Sequence, residues 1–169
     1  ETAPHYLILT ENDLQEDGRF KMNPPLGSSE DREALIEAVL DGTIEMIATD
    51  HAPHSEEEKG KGLEESMMGV VGIETAFSLM YTHFVKSGKM TLPHLIKLMC
   101  ENPRKRFSLG KGRIAVGEKA DFTVFNLDEE YEINPDEFLS MGKSTPFKGE
   151  KVFAKCKMTF ACGKLAWKE

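Results

Sequence analysis

The chain has 169 residues, of which 40% are apolar and 30% charged, and its formal net charge is −8. This composition is typical of globular proteins and excludes disordered and collagen-like chains. No run of about 18 apolar residues is present, so a membrane-spanning helix is not expected. An acidic chain is a poor nucleic-acid binder. Three cysteines without a CxxC spacing predict a reducing, cytoplasmic environment.

The first residues resemble the end of a strand that is already under way. Glu1–Pro4 includes no initiating Met and no leader with a basic stretch and an apolar run. We therefore expect the sequence to be a piece of a larger chain, the alternative being a mature protein trimmed by a protease. Farther on, two prolines make Asn23–Leu26 rigid. Such a segment suits a binding loop or a plain surface turn.

The strongest helix prediction covers residues 28–42. Ser28 is a good N-cap, Asp31 completes a capping-box pair with it, and Gly42 ends the helix. Its predicted apolar face consists of Ala34, Leu35, Ala38 and Val39. Two more helices are predicted at residues 73–86 and 92–100, with a short helical turn at 103–107.

A cluster of polar side chains follows a predicted buried strand at Ile44–Thr49. Asp50, His51 and His54 come directly after it, where β/α proteins build their active sites. A carboxylate and imidazoles can bind a metal, bind an anion or move a proton. The structural alternative is a capped loop with satisfied histidines. The charged stretch 55–65 is expected to be a mobile loop.

The remaining histidines and the asparagine carry weaker signals. We expect His5 to be satisfied by a backbone carbonyl and His83 and His94 to lie on helix surfaces or core edges. Asn23 alone would pass as a turn residue, although its amide is able to bind a carboxylate.

After residue 110 glycines punctuate short apolar runs, which indicates an all-β region. Residues 121–126 alternate as a strand does, and residues 151–161 and 164–167 predict a hairpin with its turn near Cys162-Gly163. The predicted division is an α/β part, 1–110, and a β-rich tail, 111–169.

The stretch Ala48–His54 (ATDHAPH) and the Ser55–Lys59 segment after it resemble the signature of long-type bacterial dihydroorotases, in the amidohydrolase superfamily. Other segments resemble the family in order and spacing: Pro4–Leu7, Lys21–Leu26, Gly112–Asp121 and Ser144–Gly149. Tyr6 and Gly27 stand where the family has a histidine and an arginine.

The resemblance implies an α/β fold, in which residues 1–110 are the last βα units of an incomplete TIM-type (β/α)8 barrel. A small, sandwich-like all-β tail follows. A complete barrel needs about 250 residues, so this chain cannot close one. The family's His-x-His, its carboxylated lysine and its two other metal histidines have no counterpart in the sequence.

The resemblance also implies roles for individual residues. Asp50 would be a ligand of the binuclear zinc centre and would shuttle the proton of the bridging hydroxide. His54 and Asn23 would bind the substrate carboxylate. Backbone at Gly69 would contact the substrate ring, although Met67-Met68 precedes it where the family has Pro-Phe.

The implied activity is the interconversion of L-dihydroorotate and N-carbamoyl-L-aspartate in pyrimidine biosynthesis. We expect a small-molecule substrate and no nucleic-acid or membrane partner. The isolated chain is expected to be inactive and to need the missing barrel half or to self-associate. A related cyclic amidase, such as a hydantoinase or allantoinase, is one alternative. A non-catalytic scaffold is the other, and Tyr6 and Gly27 are its best support.

Overall fold

A computed structural model describes residues 1–110 and 112–169 of the chain. Its α-helices are α1 (Pro4–Ile8), α2 (Ser29–Asp41), α3 (Glu56–Lys59), α4 (Gly62–Glu65), α5 (Ala76–Met80), α6 (Leu92–Ile96) and α7 (Asn102–Arg106). Its strands are β1 (Phe122–Asn126), β2 (Tyr131–Glu132), β3 (Lys151–Val152), β4 (Lys155–Ala161) and β5 (Lys164–Lys168). Within the described ranges, no helix has the length and apolarity to cross a membrane.

Helix α2 begins and ends as the sequence predicts. The Ser28 hydroxyl accepts the backbone N–H of Asp31, the Asp31 carboxylate accepts the Ser28 N–H, and Gly42 ends the helix at φ 88°. The predicted face is partly wrong, because Ile36 and Val39 are buried while Ala34 is exposed. The helix is therefore rotated so that its larger β-branched side chains reach the core.

The predicted strand Ile44–Thr49 is present only as an extended segment with an isolated parallel bridge. Thr2 pairs with Ile47 through two hydrogen bonds, Thr2 N–H to Met46 O at 3.2 Å and Ala48 N–H to Thr2 O at 2.9 Å. The N–H of Ile47 donates to Leu98 O instead of to a second strand. With one short partner, the ladder does not extend into a regular strand.

The two later helical regions differ from the prediction and change their winding. Helix α5 starts at Ala76, later than the predicted residue 73, and continues as a π-helical turn over Tyr81–Lys86. Likewise, α6, a π-helical turn at Lys97–Glu101 and α7 form one run that absorbs the separate turn predicted at 103–107. Thr91 caps α6 by accepting the N–H of His94, as expected.

The main core lies between these helices, α1 and α2. Its buried members are Leu7, Ile36, Val39, Ile47, Met80, Phe84, Met90, Leu95 and Leu98. A smaller cluster, Met22, Leu26 and Val70, lies under the Asn23–Leu26 segment. Burial of these side chains stabilises the fold by about 25 cal/mol per Å² of apolar surface removed from water. The backbone around the candidate site therefore packs against a stable core.

The tail contains an antiparallel sheet of order β1-β4-β5 and a separate pair, β2-β3. The predicted hairpin is confirmed, and Cys162 and Gly163 both take positive φ, as a tight two-residue turn requires. The predicted strand 151–161 is interrupted at Ala154, which has φ 68° and accepts a hydrogen bond from the Ser78 hydroxyl.

The tail also packs back onto the helical part. Leu79 of α5 shares a buried cluster with Ile133, Phe147 and Val152. The division of the chain at residue 110 remains a prediction, but apolar contacts cross it.

Candidate functional site

Asp50 lies where the extended segment paired with Thr2 ends. Its φ of 47° is in the left-handed region, which aspartate tolerates better than most residues. The side chain is 53% exposed, so its carboxylate is accessible. A sharp turn at this residue therefore presents a carboxylate at the end of a parallel pairing, as the sequence predicts.

His5 is buried beside Asp50. Its ring is 2% exposed, and its Nε2 lies 3.9 Å from Asp50 Oδ2. The expected backbone carbonyl is not found at Nε2, which has no hydrogen-bond partner among the described residues. Burial lowers the pKa of His5 to about 4, although the nearby Asp50 charge opposes the shift. His5 is thus neutral near pH 7.

His54 and Gly69 come together on the other side of the Asp50–His54 turn. The Nε2–H of His54 donates to Met68 O at 3.0 Å, and Nδ1 faces a Glu58 oxygen at 3.5 Å. Gly69 has φ 139°, and a Cβ built there would lie 2.6 Å from Ala52 O and 3.2 Å from His54 Cδ2. The segment at Gly69 approaches the Ala52–His54 segment so closely that only glycine fits there.

Residues 55–65 contain the two short helices α3 and α4, so the prediction of a loop was wrong for these residues. Ser55 and Glu58 form a capping box that starts α3, and the sequence SEEE contains that signal. Hydrogen bonds from the Ser55 backbone and hydroxyl hold the pKa of Glu58 below its usual value. The capped helix keeps the Glu58 carboxylate next to His54.

Asn23 and Asp50 border two neighbouring hollows. Asn23 is exposed and lines a hollow of about 350 Å³ together with Met68. Asp50 lines another of about 440 Å³ together with Tyr6. Between them the Tyr6 hydroxyl donates to Pro24 O at 2.8 Å, and burial raises the pKa of Tyr6 to about 12. Tyr6 thus ties the Asn23 segment to α1.

His51 serves the backbone rather than the hollow. Its Nδ1 accepts the N–H groups of Gly72 at 3.2 Å and of Ile73 at 3.4 Å. A parallel bridge between His51 and Val70 holds the same two segments together. This agrees with the structural alternative for one member of the polar cluster.

Lys59 is the residue that sequence reasoning missed at this site. It is buried, and its Nζ donates to the carbonyls of Lys21, Met67 and Gly69. The charged run around it suggests a solvated surface. No local pattern marks one lysine of such a run as buried, because its acceptors are far away in the sequence.

A metal centre would need more than these residues. The part of the chain that the structure describes contains no group of three or more His, Cys, Asp or Glu side chains placed to hold an ion. Zinc sites use about three or four protein ligands. Asp50 has suitable donor chemistry and exposure for one ligand of a shared site.

The sequence profile of the amidohydrolase family matches residues 8–166. The chain belongs to the amidohydrolase family. It is 52% identical over its whole length to a dihydroorotase of Geobacillus sp. (strain WCH70) and 51% identical to one of Bacillus cereus (strain B4264). It spans about 40% of the length of each of these relatives. The resemblance to dihydroorotases is therefore confirmed for a partial chain.

Solved structures of this amidohydrolase class share the fold. L-hydantoinase (dihydropyrimidinase) of Arthrobacter aurescens superposes with a TM-score of 0.87 at 31% identity, over 98% of this chain and 38% of that one. D-hydantoinase of Thermus sp. gives the same TM-score at 23% identity, with the same coverage. The expected α/β class is confirmed as a mixed α/β fold with small antiparallel sheets, and the incomplete barrel stays a prediction.

We expect Gly69→Ala to lower the free energy of unfolding by about 3 kcal/mol, the upper range for one substitution. Alanine would take a backbone conformation that residues with a side chain rarely adopt, and its Cβ would displace Ala52. Urea unfolding measures the effect.

Gly88→Ala is the matched control for this substitution. Gly88 has φ 80° but open space around its Cβ position, so only the backbone cost of about 1 kcal/mol is expected. Equal losses in the two variants would show that the contact with Ala52 is unimportant.

Proposed function

We propose that this chain is the C-terminal part of a zinc-dependent dihydroorotase, which hydrolyses L-dihydroorotate reversibly to N-carbamoyl-L-aspartate. The observation that carries the proposal is the exposed Asp50 carboxylate on its left-handed turn, within a chain 52% identical to dihydroorotases throughout. On this proposal, residues 1–110 are the last βα units of a barrel. The parallel bridges Thr2–Ile47 and His51–Val70 are what remains of its strand pairing.

Zinc is part of the proposal, and this chain would supply only some of its ligands. Asp50 is the residue that would bind the ion, and the remaining ligands would come from the barrel portion that the relatives have and this chain lacks. When bound, zinc lowers the pKa of water to near neutral and polarises an amide carbonyl.

In the proposed reaction Asp50 moves the proton. Its carboxylate takes a proton from the attacking water and returns it to the ring nitrogen as the C–N bond of the cyclic amide breaks. His5 is buried against this carboxylate, with its Nε2 3.9 Å from Asp50 Oδ2.

Asn23, His54 and Gly69 are proposed to bind the substrate. An amide N–H of Asn23 would donate to the substrate carboxylate, and Gly69 would offer its backbone to the ring. His54 would bind the carboxylate by donating a ring N–H, and the donor that the structure identifies is the Nε2–H now bonded to Met68 O. The Asn23 side chain is exposed and ready for such contacts.

Turnover of the complete enzyme with three substrates tests the assignment. Activity with dihydroorotate well above that with a hydantoin or allantoin supports the proposal. Higher activity with a hydantoin or allantoin than with dihydroorotate would support the cyclic-amidase alternative. The 31% identity to an L-hydantoinase is the observation that favours this alternative. Activity with none of the three would favour the scaffold.

We expect Asp50→Asn to reduce kcat of the complete enzyme by about 10² to 10⁴-fold, the usual contribution of a general base. The amide keeps the side-chain shape and tolerates the left-handed turn but cannot accept the proton. Steady-state assays with metal content measured in parallel check this, and Asp136→Asn, an exposed aspartate of the tail, is the control. A variant with full metal and undiminished kcat would disprove the role.

His54→Ala and Asn23→Ala are expected to raise KM about tenfold each while kcat falls less. Each removes contacts made to the bound substrate as well as to the transition state. Initial rates over a range of dihydroorotate concentrations give both constants, with His94→Ala as the control. A collapsed kcat at unchanged KM would contradict a binding role.

The isolated 169 residues are expected neither to bind zinc tightly nor to hydrolyse dihydroorotate. A site of about three ligands cannot form around Asp50 alone. Calorimetric titration of the metal-free chain, with an activity assay, measures both properties. Submicromolar zinc binding by an active monomer would overturn the shared-site proposal, whereas activity only after adding the missing barrel portion would support it.

A further inference from the structure

Lys59 is a buried lysine whose three donors are all used. Its residue exposure is 6%, and its Nζ donates to Met67 O at 2.7 Å, Gly69 O at 2.8 Å and Lys21 O at 3.0 Å. An ammonium group has three N–H donors. All three donors of the side chain therefore bind backbone carbonyls, and none is free to bind a substrate.

The carbonyls belong to the two segments that are proposed to hold the substrate. Lys21 lies two residues before Asn23, and Gly69 is the proposed ring contact. The segments also touch directly, because the Gly69 N–H donates to Lys21 O at 2.9 Å. One ammonium thus joins the Asn23 segment to the Gly69 segment.

His54, the third residue proposed to bind the substrate, is hydrogen-bonded to the same Met67–Gly69 segment. Met67 O and Gly69 O accept from Lys59, and Met68 O between them accepts from His54. The position of the His54 ring therefore depends on a segment whose flanking carbonyls are held by one ammonium.

The main chain of Lys59 is held as firmly as its side chain. The Ser66 hydroxyl donates to Lys59 O at 2.9 Å, and α3 is anchored at its other end by the Ser55 cap. Gly18 packs against the same carbonyl so closely that a Cβ there would be 2.1 Å away. The ammonium thus extends from a short helix that is held at both of its ends.

Keeping a charge in this place is costly, which argues against a purely incidental contact. Burial lowers the pKa of Lys59 to about 8, while the charge of Asp17 opposes the shift. Replacement of buried charges by apolar side chains is often neutral or stabilising for the fold. A gain in the ordering of the site would explain why a lysine is found here.

We propose that Lys59 is a positioning residue for substrate binding: its ammonium sets the spacing between the Asn23 segment and the Met67–Gly69 segment. The identity of the substrate in this inference rests on the proposed function. The spacing of the two segments by Lys59 does not depend on that function. Lys59 touches no reacting atom and acts through Asn23, His54 and Gly69.

The test uses Lys59→Met in the complete enzyme, which keeps the length of the side chain and removes its donors. We expect KM for dihydroorotate to rise about tenfold, which corresponds to about 1.4 kcal/mol, with kcat changed less than about twofold. Amide hydrogen exchange should quicken in segments 18–26 and 66–72 and stay unchanged in α2. Lys61→Met, an exposed lysine two residues on, is the control and should match the wild type.

Each outcome decides the inference. An unchanged KM with unchanged exchange in both segments would overturn it, and so would an equal effect of Lys61→Met. If Lys59→Met does not fold, Ser66→Ala takes its place, because it removes the hydrogen bonds of the Ser66 hydroxyl with Lys59 O and with the Lys61 N–H, which hold the main chain of Lys59. A smaller rise in KM at constant kcat then supports the inference, and wild-type constants overturn it.

The failure of the proposed function would be seen separately. If the wild-type enzyme does not turn over dihydroorotate, that function is wrong, and hydrogen exchange alone then decides whether Lys59 holds the two segments. Faster exchange confined to them supports the positioning role, and none overturns it.

Discussion

Two backbone hydrogen bonds, between Thr2 and the segment Met46–Ala48, bring His5 and Asp50 of the candidate site together. They run in the parallel sense, so the chain leaves both segments in the same direction. For that reason His5, just after the first segment, and Asp50, just after the second, meet at 3.9 Å. The apolar cluster of α1, α2 and α5 around Ile47 stabilises this pairing. Functional side chains at the ends of parallel segments are a general property of β/α folds.

The polar groups around that pairing are buried at a cost, and each is compensated differently. Lys59 satisfies all three of its donors with carbonyls, whereas His5 remains neutral because burial lowers its pKa to about 4. His51 uses Nδ1 to join the turn to Gly72 and Ile73. Of the polar cluster at the turn, only Asp50 is more than half exposed. The arrangement separates buried polar groups, of which His5 Nε2 has no hydrogen-bond partner among the described residues, from one accessible carboxylate.

The fold by itself does not identify the substrate. Hydantoinases superpose on this chain with TM-scores of 0.87, and dihydroorotases are its relatives at 52% identity. A shared fold does not by itself set the ligand, which depends on individual side chains. In this chain the Tyr6 hydroxyl holds Pro24 next to Asn23. Gly27 leaves the neighbouring hollow without a long cationic side chain.

Local signals in the sequence determined the features that depend on neighbouring residues alone. The Ser28–Asp31 capping box, the glycine end of α2 and the Cys162-Gly163 turn follow from such signals. The Asp50–His54 turn was found in the same way, through its position after an apolar segment. Tertiary structure decided the rest: the Thr2–Ile47 bridge in place of a full strand, the His5 Nε2 that has no hydrogen-bond partner in the described part of the chain, and the burial of Lys59. Each of these depends on groups distant in the sequence that the packing of the folded chain brings together, and no local pattern records it.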